Sequence, residues 1–392
     1  MTHTRTAIVF ASAAVGLLAL TSCSSGATET SDTQDSGLPA AEAGSALDLS
    51  DVCPATVVLQ QDWEPEAEHG AMYSLVGPDY TIDEEGNTVT GSLIAQGVDT
   101  GVDVQVRPGG PTYSYQPVST LMYLDDSITL GAVNTDEAIS SYADQPTVAV
   151  TSQLTYSPQI LMWDPATYPD ATTIEDVIAD GATVLTSGDI IPALLEETVG
   201  LDASKSDTSY DSTSARFVAD PSLLQQGFAT AEPYIYENEI SEWDKPVDYQ
   251  LLSDIGYNIY PEPLAVRADK LEELTPCLEK LVPIMQQAQI DYLDDPTETN
   301  ELIVELVEAY DTGWVYSEGV ADYSAQTQVS DGLVVDDPAS GVFGQFDPDR
   351  MQEIVDTFVP LLEAQGTLPE GTQIDPEDLY TNQFIDTSIS IG

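Results

Sequence analysis

A carboxylate, an indole, an imidazole and a phenol lie close together in one short stretch of the sequence. Asp62 and Trp63 follow the apolar run Val57–Leu59, which predicts a buried strand. His69 and Tyr73 are four residues apart, a spacing that places them on one face of a helix. Because ligands of open α/β sheets bind beyond the carboxyl ends of the strands, this stretch predicts a binding site. In the alternative interpretation, Trp63 and Tyr73 are core aromatic residues and His69 is a surface residue.

The sequence beyond its leader segment offers little for nucleophilic or metal-dependent catalysis. His69 is the single histidine there, and no C-x-x-C, G-x-S-x-G or phosphate-loop glycine pattern occurs. The acidic run 83–86 does not have the spacing of a calcium loop. We therefore expect a protein that is not an enzyme and that holds no cofactor or metal.

The charge balance excludes nucleic acid as a partner. The chain has 9 basic and 68 acidic residues, for a formal net charge of −59, and its basic residues are dispersed. A protein that binds phosphate backbones needs a clustered basic footprint. The hydrophobic content of 42% still permits a large core, so we interpret the acidic residues as a solvated surface. Adaptation to a saline environment is one hypothesis for that surface, and a ligand-specific acidic surface is the other.

The N-terminal segment has the pattern of a lipoprotein signal peptide over residues 1–22. Its apolar run is too short to span a bilayer, and Leu20-Thr21-Ser22-Cys23 resembles the lipobox of bacterial lipoproteins. Cys23 is then the lipidated residue, and the polar composition of 23–52 predicts a flexible tether. This places the protein on the extracytoplasmic face of the cell membrane. The alternative is an ordinary secretory signal with a chance cysteine.

Two cysteines remain once Cys23 is assigned to lipidation. An extracytoplasmic location is oxidising, so we expect Cys53 and Cys277 to form a disulfide. That bond would hold the start of the folded region beside residues far down the chain.

Strand-like and helix-like patterns alternate along the rest of the chain, which predicts an α/β fold with mostly parallel sheets. The predicted strands are 57–59, 102–106, 147–150, 160–163, 182–185 and 249–252. The predicted helices are 174–179, 190–199, 277–292, 298–311 and 348–364. Asp347 and Pro348 have the types expected at the N-cap and first position of the last helix.

Loops after two of the early strands supply further candidate residues. Gly109 and Gly110 follow the strand 102–106, where glycine lets a ligand approach the backbone. Thr135 and Asp136 precede a short helix and are able either to cap it or to contact a ligand, and capping is the favoured role.

Two later loops complete the candidate set. Ser187 and Gly188 open a helix whose free N–H groups suit an anion. Glu232 stands before a proline in a helix-start position, with Tyr234 close behind. Glu232 is interpreted either as a cap or as a residue that faces Asp62 and Trp63 across a two-lobed site.

The stretch 62–73, DWEPEAEHGAMY, resembles the W-x-P…H-x-x-x-Y opening of the NMT1/THI5-like family of solute-binding proteins. Further resembling landmarks occur in the order of that family: Gly109-Gly110, Asn134–Glu137, Gly227–Tyr234, Asp254–Tyr257 and Thr381–Phe384. The resemblance implies a two-lobed, periplasmic-binding-protein-like fold of type II. It implies one lobe from residues 53–148 plus 255–392 and a second lobe from 149–254, closing by hinge motion.

The resemblance also implies a function. It indicates a monomeric, lipid-anchored solute-binding protein that delivers a small molecule to the permease of an ABC importer. A nitrogen heterocycle such as a thiamine-precursor pyrimidine fits a site with Trp63, Tyr234 and carboxylates. One alternative is a sulfonate- or nitrate-type anion, although no Lys or Arg is placed in the cleft. The others are a THI5-like pyrimidine-forming enzyme, whose lysine and cysteine-rich motif are missing here, and a surface protein without a small ligand.

Overall fold

The computed structural model describes residues 36–210 and 213–392. The predicted signal peptide and Cys23 lie outside the described residues. Among the described helices, none has the length and apolar character needed to cross a membrane.

A seven-stranded sheet organises the first lobe, and β1 lies at its centre. Its strands are β1 Thr56–Gln60, β2 Thr81–Asp83, β3 Thr88–Ala95, β4 Val98–Arg107, β5 Ile128–Ala132, β6 Thr147–Thr151 and a late strand, Leu264–Arg267. The spatial order is β2, β3, β4, β1, β5, the late strand and β6. Both neighbours of β1 are parallel to it, so the loop after β1 emerges at the carboxyl edge of the sheet.

A five-stranded sheet organises the second lobe, and every strand of it comes from the middle of the chain. These strands are β7 Gln159–Trp163, β8 Thr183–Leu185, β9 Ser206–Asp207, β10 Leu223–Phe228 and β11 Asp248–Leu251, so the late strand of the first lobe is β12. Their spatial order is β11, β7, β10, β8, β9. The chain thus passes between the two sheets twice, after β6 and again before β12.

Helices cover the sheets. In chain order they are α1 Gly70–Tyr73, α2 Val118–Leu124, α3 Thr135–Ser141, α4 Ile174–Ala179, α5 Ile190–Thr198, α6 Ala215–Ala219, α7 Glu232–Asn238, α8 Leu271–Asp294, α9 Thr297–Tyr310, α10 Glu318–Ser330 and α11 Pro348–Ala364. The Asp347 carboxylate caps α11, as its sequence predicts, by accepting from the N–H groups of Asp349 and Arg350. The α/β class and the two-lobed architecture are therefore as expected from the sequence.

The expectation of mostly parallel sheets holds for four of the ten strand pairings among the described residues. Pairings of β1 with β4 and β5, and of β8 with β9 and β10, are parallel. The other six are antiparallel, because hairpins extend the edge of the first sheet and strands return from the other lobe. Each sheet is mixed, and β2, β3, β5, β9, β10 and β12 are strands that the apolar patterns alone did not indicate.

Residues 36–52 belong to the folded first lobe rather than to a tether. Leu49 is completely buried, and its N–H donates to the Thr100 carbonyl at 2.9 Å. The Lys280 ammonium donates to the Ser45 and Asp48 carbonyls at 2.8 and 2.6 Å. The polar composition of this stretch predicted a tether. The stretch is nevertheless held by one buried leucine and by backbone hydrogen bonds, and neither is visible in an average composition.

A disulfide joins Cys53 to Cys277 on α8, as expected from the sequence. Cys277 is completely buried in the core of the first lobe, which also holds Leu59 of β1 and Val104 of β4. The bond therefore fixes the beginning of the folded region to a helix 224 residues later in the chain.

Replacing both cysteines, C53A/C277A, is expected to lower the free energy of unfolding by about 4–5 kcal/mol, because the reduced chain gains loop entropy when it unfolds. Guanidinium titrations of both proteins, with and without reductant, measure the loss. Reductant should lower the midpoint of the natural protein and leave that of the variant unchanged. Equal midpoints for the oxidised protein and the variant would contradict this role.

Candidate ligand-binding site

Two neighbouring loops fix Asp62 and Trp63 at the carboxyl edge of the first sheet. The Gly109 N–H donates to the Trp63 carbonyl at 2.7 Å, which extends the pairing of β1 and β4 beyond the strands. A Cβ atom at Gly109 would lie 2.4 Å from the Asp62 carbonyl carbon, so only glycine allows this approach. Gly110, with φ +56°, lies against the indole of Trp63. Both glycines are therefore in contact with the loop that carries the site residues.

Aromatic rings surround the Trp63 indole. Trp314 lies 6.0 Å away between ring centroids in an edge-to-face arrangement, and Tyr115 lies at 5.9 Å. The indole N–H of Trp314 donates to the Pro65 carbonyl at 3.2 Å, and this bond ties the loop before α10 to the loop after β1. Trp314 is thus held against Trp63 by a specific backbone contact.

A cluster of one buried imidazole and two partly buried carboxylates is formed by His69, Asp62 and Glu262. His69 Nε2 lies 3.1 Å from Asp62 Oδ1 and 3.0 Å from Glu262 Oε2. Asn134 connects the two acids, since its amide donates to Asp62 at 3.2 Å and its oxygen accepts from the Glu262 N–H at 3.0 Å. Glu262 has φ +51°, a conformation that most side chains avoid and that these contacts maintain.

The contacts within this cluster shift the pKa values of His69 and Glu262. Burial opposes a charge on the His69 imidazole, yet the carboxylates of Glu262 and Asp62 outweigh it and hold the pKa of His69 well above its usual value. Burial and the nearby Asp62 carboxylate raise the pKa of Glu262 to about 7. The two carboxylates therefore favour the imidazolium form of His69.

Asp62, His69 and Glu262 also have the donor types of a metal site, and their ligand atoms lie within 4.8 Å of one another. A metal-bound histidine usually donates from its second ring nitrogen to an outer partner. Nδ1 of His69 is buried and has no hydrogen-bond partner among the described residues. In this structure the Nε2 atom of His69 makes direct contacts with both carboxylates.

A cavity with a volume of about 520 Å³ opens beside this cluster, and Asp62 and Glu262 both line it. Both lobes contribute to its wall. Its acidic lining residues are Asp62, Glu66, Glu68, Glu232, Glu239 and Glu262. Its aromatic lining residues are Trp63, Tyr210, Phe228, Tyr236 and Trp314. None of the residues that line it is a lysine or an arginine.

Glu232 enters this cavity from the second lobe at the end of β10. Its carboxylate folds back to accept from the Phe228 N–H at 2.6 Å. Gly227 makes room for that turn, because a Cβ there would lie 2.9 Å from the Glu232 carboxyl carbon. Burial raises the pKa of Glu232 to about 7.

The predicted candidates divide into three groups by position. Asp62, Trp63, Ser187 and Glu232 line the cavity. His69, only 1% exposed, lies directly behind its wall in contact with Asp62. The others are not among its lining residues: Tyr73, Gly109, Gly110, Thr135, Asp136, Gly188 and Tyr234.

Several candidates outside the wall have other contacts. The buried Tyr73 hydroxyl donates to Gln61 at 2.9 Å in the core. The N-cap of α3 is Asn134, and no side chain caps that helix, so Thr135 and Asp136 do not have the capping role expected of them. They instead bind the second crossing between the lobes, where the Tyr257 hydroxyl donates to Asp136 at 2.9 Å.

Tyr234 and Gly188 also have positions of their own. Tyr234 of α7 packs on Tyr323 of α10 at 5.5 Å between ring centroids. Gly188 is exposed, with φ +85°, in the turn before α5. Its neighbour Ser187, which does line the cavity, donates from its N–H to Gln226 at 2.8 Å.

Sequence reasoning missed four acidic residues and one tryptophan of the wall. Glu66 and Glu68 lie in the same motif as Asp62, and the high density of acidic residues in that motif was a signal that could have indicated them. Glu262 between two prolines and Trp314 after a glycine occur far from that motif. Only the tertiary structure brings these distant residues to the cavity.

Replacing Glu232 by glutamine, which keeps the acceptor for Phe228, should stabilise the ligand-free protein at pH 8 by about 1–2 kcal/mol. Folding raises the pKa of Glu232 from 4.5 to about 7, so the folded state binds its proton more tightly than the unfolded state does. The free energy of unfolding of the natural protein therefore falls as pH rises through this range. At pH 4 Glu232 is mostly protonated in both the folded and the unfolded state, and the difference in stability between the variant and the natural protein should vanish. Denaturant titrations at both pH values measure it, with the exposed Glu237→Gln on the same helix as control. An equal effect at pH 4 and pH 8 would contradict it.

No protein-family model and no curated protein matches the sequence. Solved structures do resemble it. A putative periplasmic sulfonate-binding protein of an ABC transporter from Methylobacillus flagellatus KT has 14% identity and a TM-score of 0.51 over 86% of this chain and 93% of that one.

Two further structures have similar coverage. The periplasmic nitrate-binding protein from Synechocystis PCC 6803 has 13% identity and a TM-score of 0.49 over 84% of this chain and 87% of that one. The zinc-bound ligand-binding component of an ABC-type import system from Staphylococcus aureus has 10% identity and a TM-score of 0.48, over 84% and 97%. At such identities likeness concerns the fold alone. The two sheets of the chain and its likeness to the Methylobacillus flagellatus structure together show the two-lobed α/β fold of periplasmic binding proteins.

Proposed function

We propose that this protein is the lipid-anchored, extracytoplasmic solute-binding protein of an ABC importer. Its ligand is a small nitrogen heterocycle such as a thiamine-precursor pyrimidine. The observation that carries the proposal is the cavity of about 520 Å³, which is lined from both lobes by aromatic rings and carboxylates. Such a volume suits a small organic molecule, and a site between two lobes suits hinge closure on a ligand.

The chemistry of the wall supports a heterocycle. Trp63 and Trp314 offer flat apolar surfaces for an aromatic ring, and stacking contributes about 0.5–1.5 kcal/mol beyond burial. Asp62 and Glu232 offer oxygen acceptors for ring N–H and amino groups. The two kinds of contact together select a ring with donors at its edge.

Sulfonate and nitrate, which two of the similar structures are named for, are anions, and Lys or Arg donors in the wall would favour their binding. Each of the eight basic side chains of the described residues contacts a carboxylate or a backbone carbonyl, and none of the eight lines the cavity. These residues are Arg107, Lys205, Arg216, Lys245, Arg267, Lys270, Lys280 and Arg350. The proposal therefore favours the heterocycle over an anion.

A calorimetric screen tests the proposal. We expect 4-amino-5-hydroxymethyl-2-methylpyrimidine or a related aminopyrimidine to bind and to raise the melting temperature. Alkanesulfonates and nitrate, at the same concentrations, should have no effect. Stabilisation by these anions and not by any pyrimidine would refute the proposed ligand. Formation of a pyrimidine product by the protein on addition of iron and pyridoxal phosphate would favour the alternative of an enzyme.

Trp63→Ala should abolish ligand binding and leave the fold nearly intact, because the indole lies in the cavity wall. Trp163, 1% exposed in the core, is the matched control. Trp163→Ala should lower the free energy of unfolding by about 3–5 kcal/mol, whereas Trp63→Ala should cost clearly less. Denaturant titration and calorimetry on both variants separate the two effects. A large loss of stability with near-normal affinity in the folded Trp63→Ala protein would make Trp63 a structural residue.

A further inference from the structure

We infer that the ligand of this cavity is an organic cation, held by carboxylates from both lobes and by the faces of the aromatic wall. The inference rests on the proposed function and adds the charge of the ligand. It predicts that among heterocycles of equal shape, the one with a protonated amine binds best.

The acidic groups of the wall exceed the cations that the protein supplies. Six carboxylates line the cavity, and His69 pairs with two of them, Asp62 and Glu262. Glu66, Glu68 and Glu239 have no ion pair with a basic side chain in the described part of the chain, and neither has Glu232. Four acids are therefore left without a cation. Burial raises the pKa of two of them, Glu66 and Glu232, and a positive charge from outside would favour their ionised form.

Glu68 is the most specific of these groups. It lines the cavity, its exposed fraction is only 5%, and its Oε2 atom is buried with no hydrogen-bond partner among the described residues. An unpartnered carboxylate oxygen in such a place is costly unless a ligand donates to it. A protonated amine supplies both a charge and N–H donors at that position.

Carboxylates stand on both sides of the cavity. Glu66 and Glu68 follow β1, whereas Glu232 begins α7 of the second lobe and Glu239 directly follows that helix. A positive ligand between them reduces repulsion between the two acidic walls and so favours the closed arrangement of the lobes. An anion in the same place would increase that repulsion.

The aromatic residues distinguish an organic cation from a bare metal ion. Cations gain energy over the face of an indole, and Trp63 and Trp314 both line the cavity. The volume of about 520 Å³ is also larger than a single coordinated ion fills, and the indole rings of the wall offer no ligand atoms to a metal. The occupant that matches all of these features is an amine on an organic body.

Two pyrimidines that differ only in charge test the inference. 4-Amino-5-aminomethyl-2-methylpyrimidine carries an ammonium group at pH 7, and its 5-hydroxymethyl analogue has nearly the same shape without that charge. Calorimetry with the full protein, after dialysis against a chelator, should give at least tenfold tighter binding for the amine. Raising the salt concentration should weaken the amine more than the alcohol.

Matched glutamate variants assign the effect to the cavity. Glu68→Gln should weaken binding of the amine at least tenfold and change binding of the alcohol little. Glu64→Gln is the control, because Glu64 is completely buried in the same loop, bonded to Thr112 at 2.9 Å, and does not line the cavity. Its affinity for both pyrimidines should match that of the natural protein. Thermal unfolding checks that each variant is folded.

The outcomes separate this inference from the proposed function. Equal or tighter binding of the alcohol overturns the cationic ligand and leaves a heterocycle-binding protein. Binding of choline or benzylamine with no binding of either pyrimidine supports the cation and overturns the heterocycle. Amine binding that requires an added divalent metal, or no binding of any of these cations, overturns the inference.

Discussion

The ion pair between His69 and the carboxylates of Asp62 and Glu262 is the interaction on which the site depends. Asp62 belongs to the loop after the central strand of the first sheet, and Glu262 belongs to the second crossing between the lobes. One buried imidazolium, with help from Asn134, joins these two segments. Truncating one partner of such a cluster would leave an unpaired buried charge, which is strongly destabilising. The cluster therefore fixes the positions of Asp62 and Glu262 in the wall of the cavity.

Glycines and short loops give this arrangement its shape. Gly109 and Gly110 allow Asp62 and Trp63 to lie against the neighbouring loop, and Gly227 lets Glu232 turn into the cavity from the other lobe. At each of these positions a Cβ would come within 3 Å of the site residue or its backbone. The glycines near the site thus position the residues that line it. Their place after a strand had instead predicted direct contact with a ligand.

The acidity of the chain has two different physical meanings. Most carboxylates lie at the surface, where water and salt screen them and where each contributes little. The carboxylates of the cavity are in a partly dry place, where burial raises the pKa of Glu232 and Glu262 to about 7. A single number for net charge does not separate these groups, although only the second can select a ligand.

The sequence by itself determined the α/β class, the disulfide partners and the loop that carries Asp62, Trp63 and His69. It could do so because strand periodicity, helix caps and a local motif depend on neighbours in the chain. Only the tertiary structure brought Glu262 and Trp314 to that loop and placed Tyr73 in the core. These contacts join residues about 190–250 positions apart, and their formation depends on how the sheets and helices pack rather than on any local pattern.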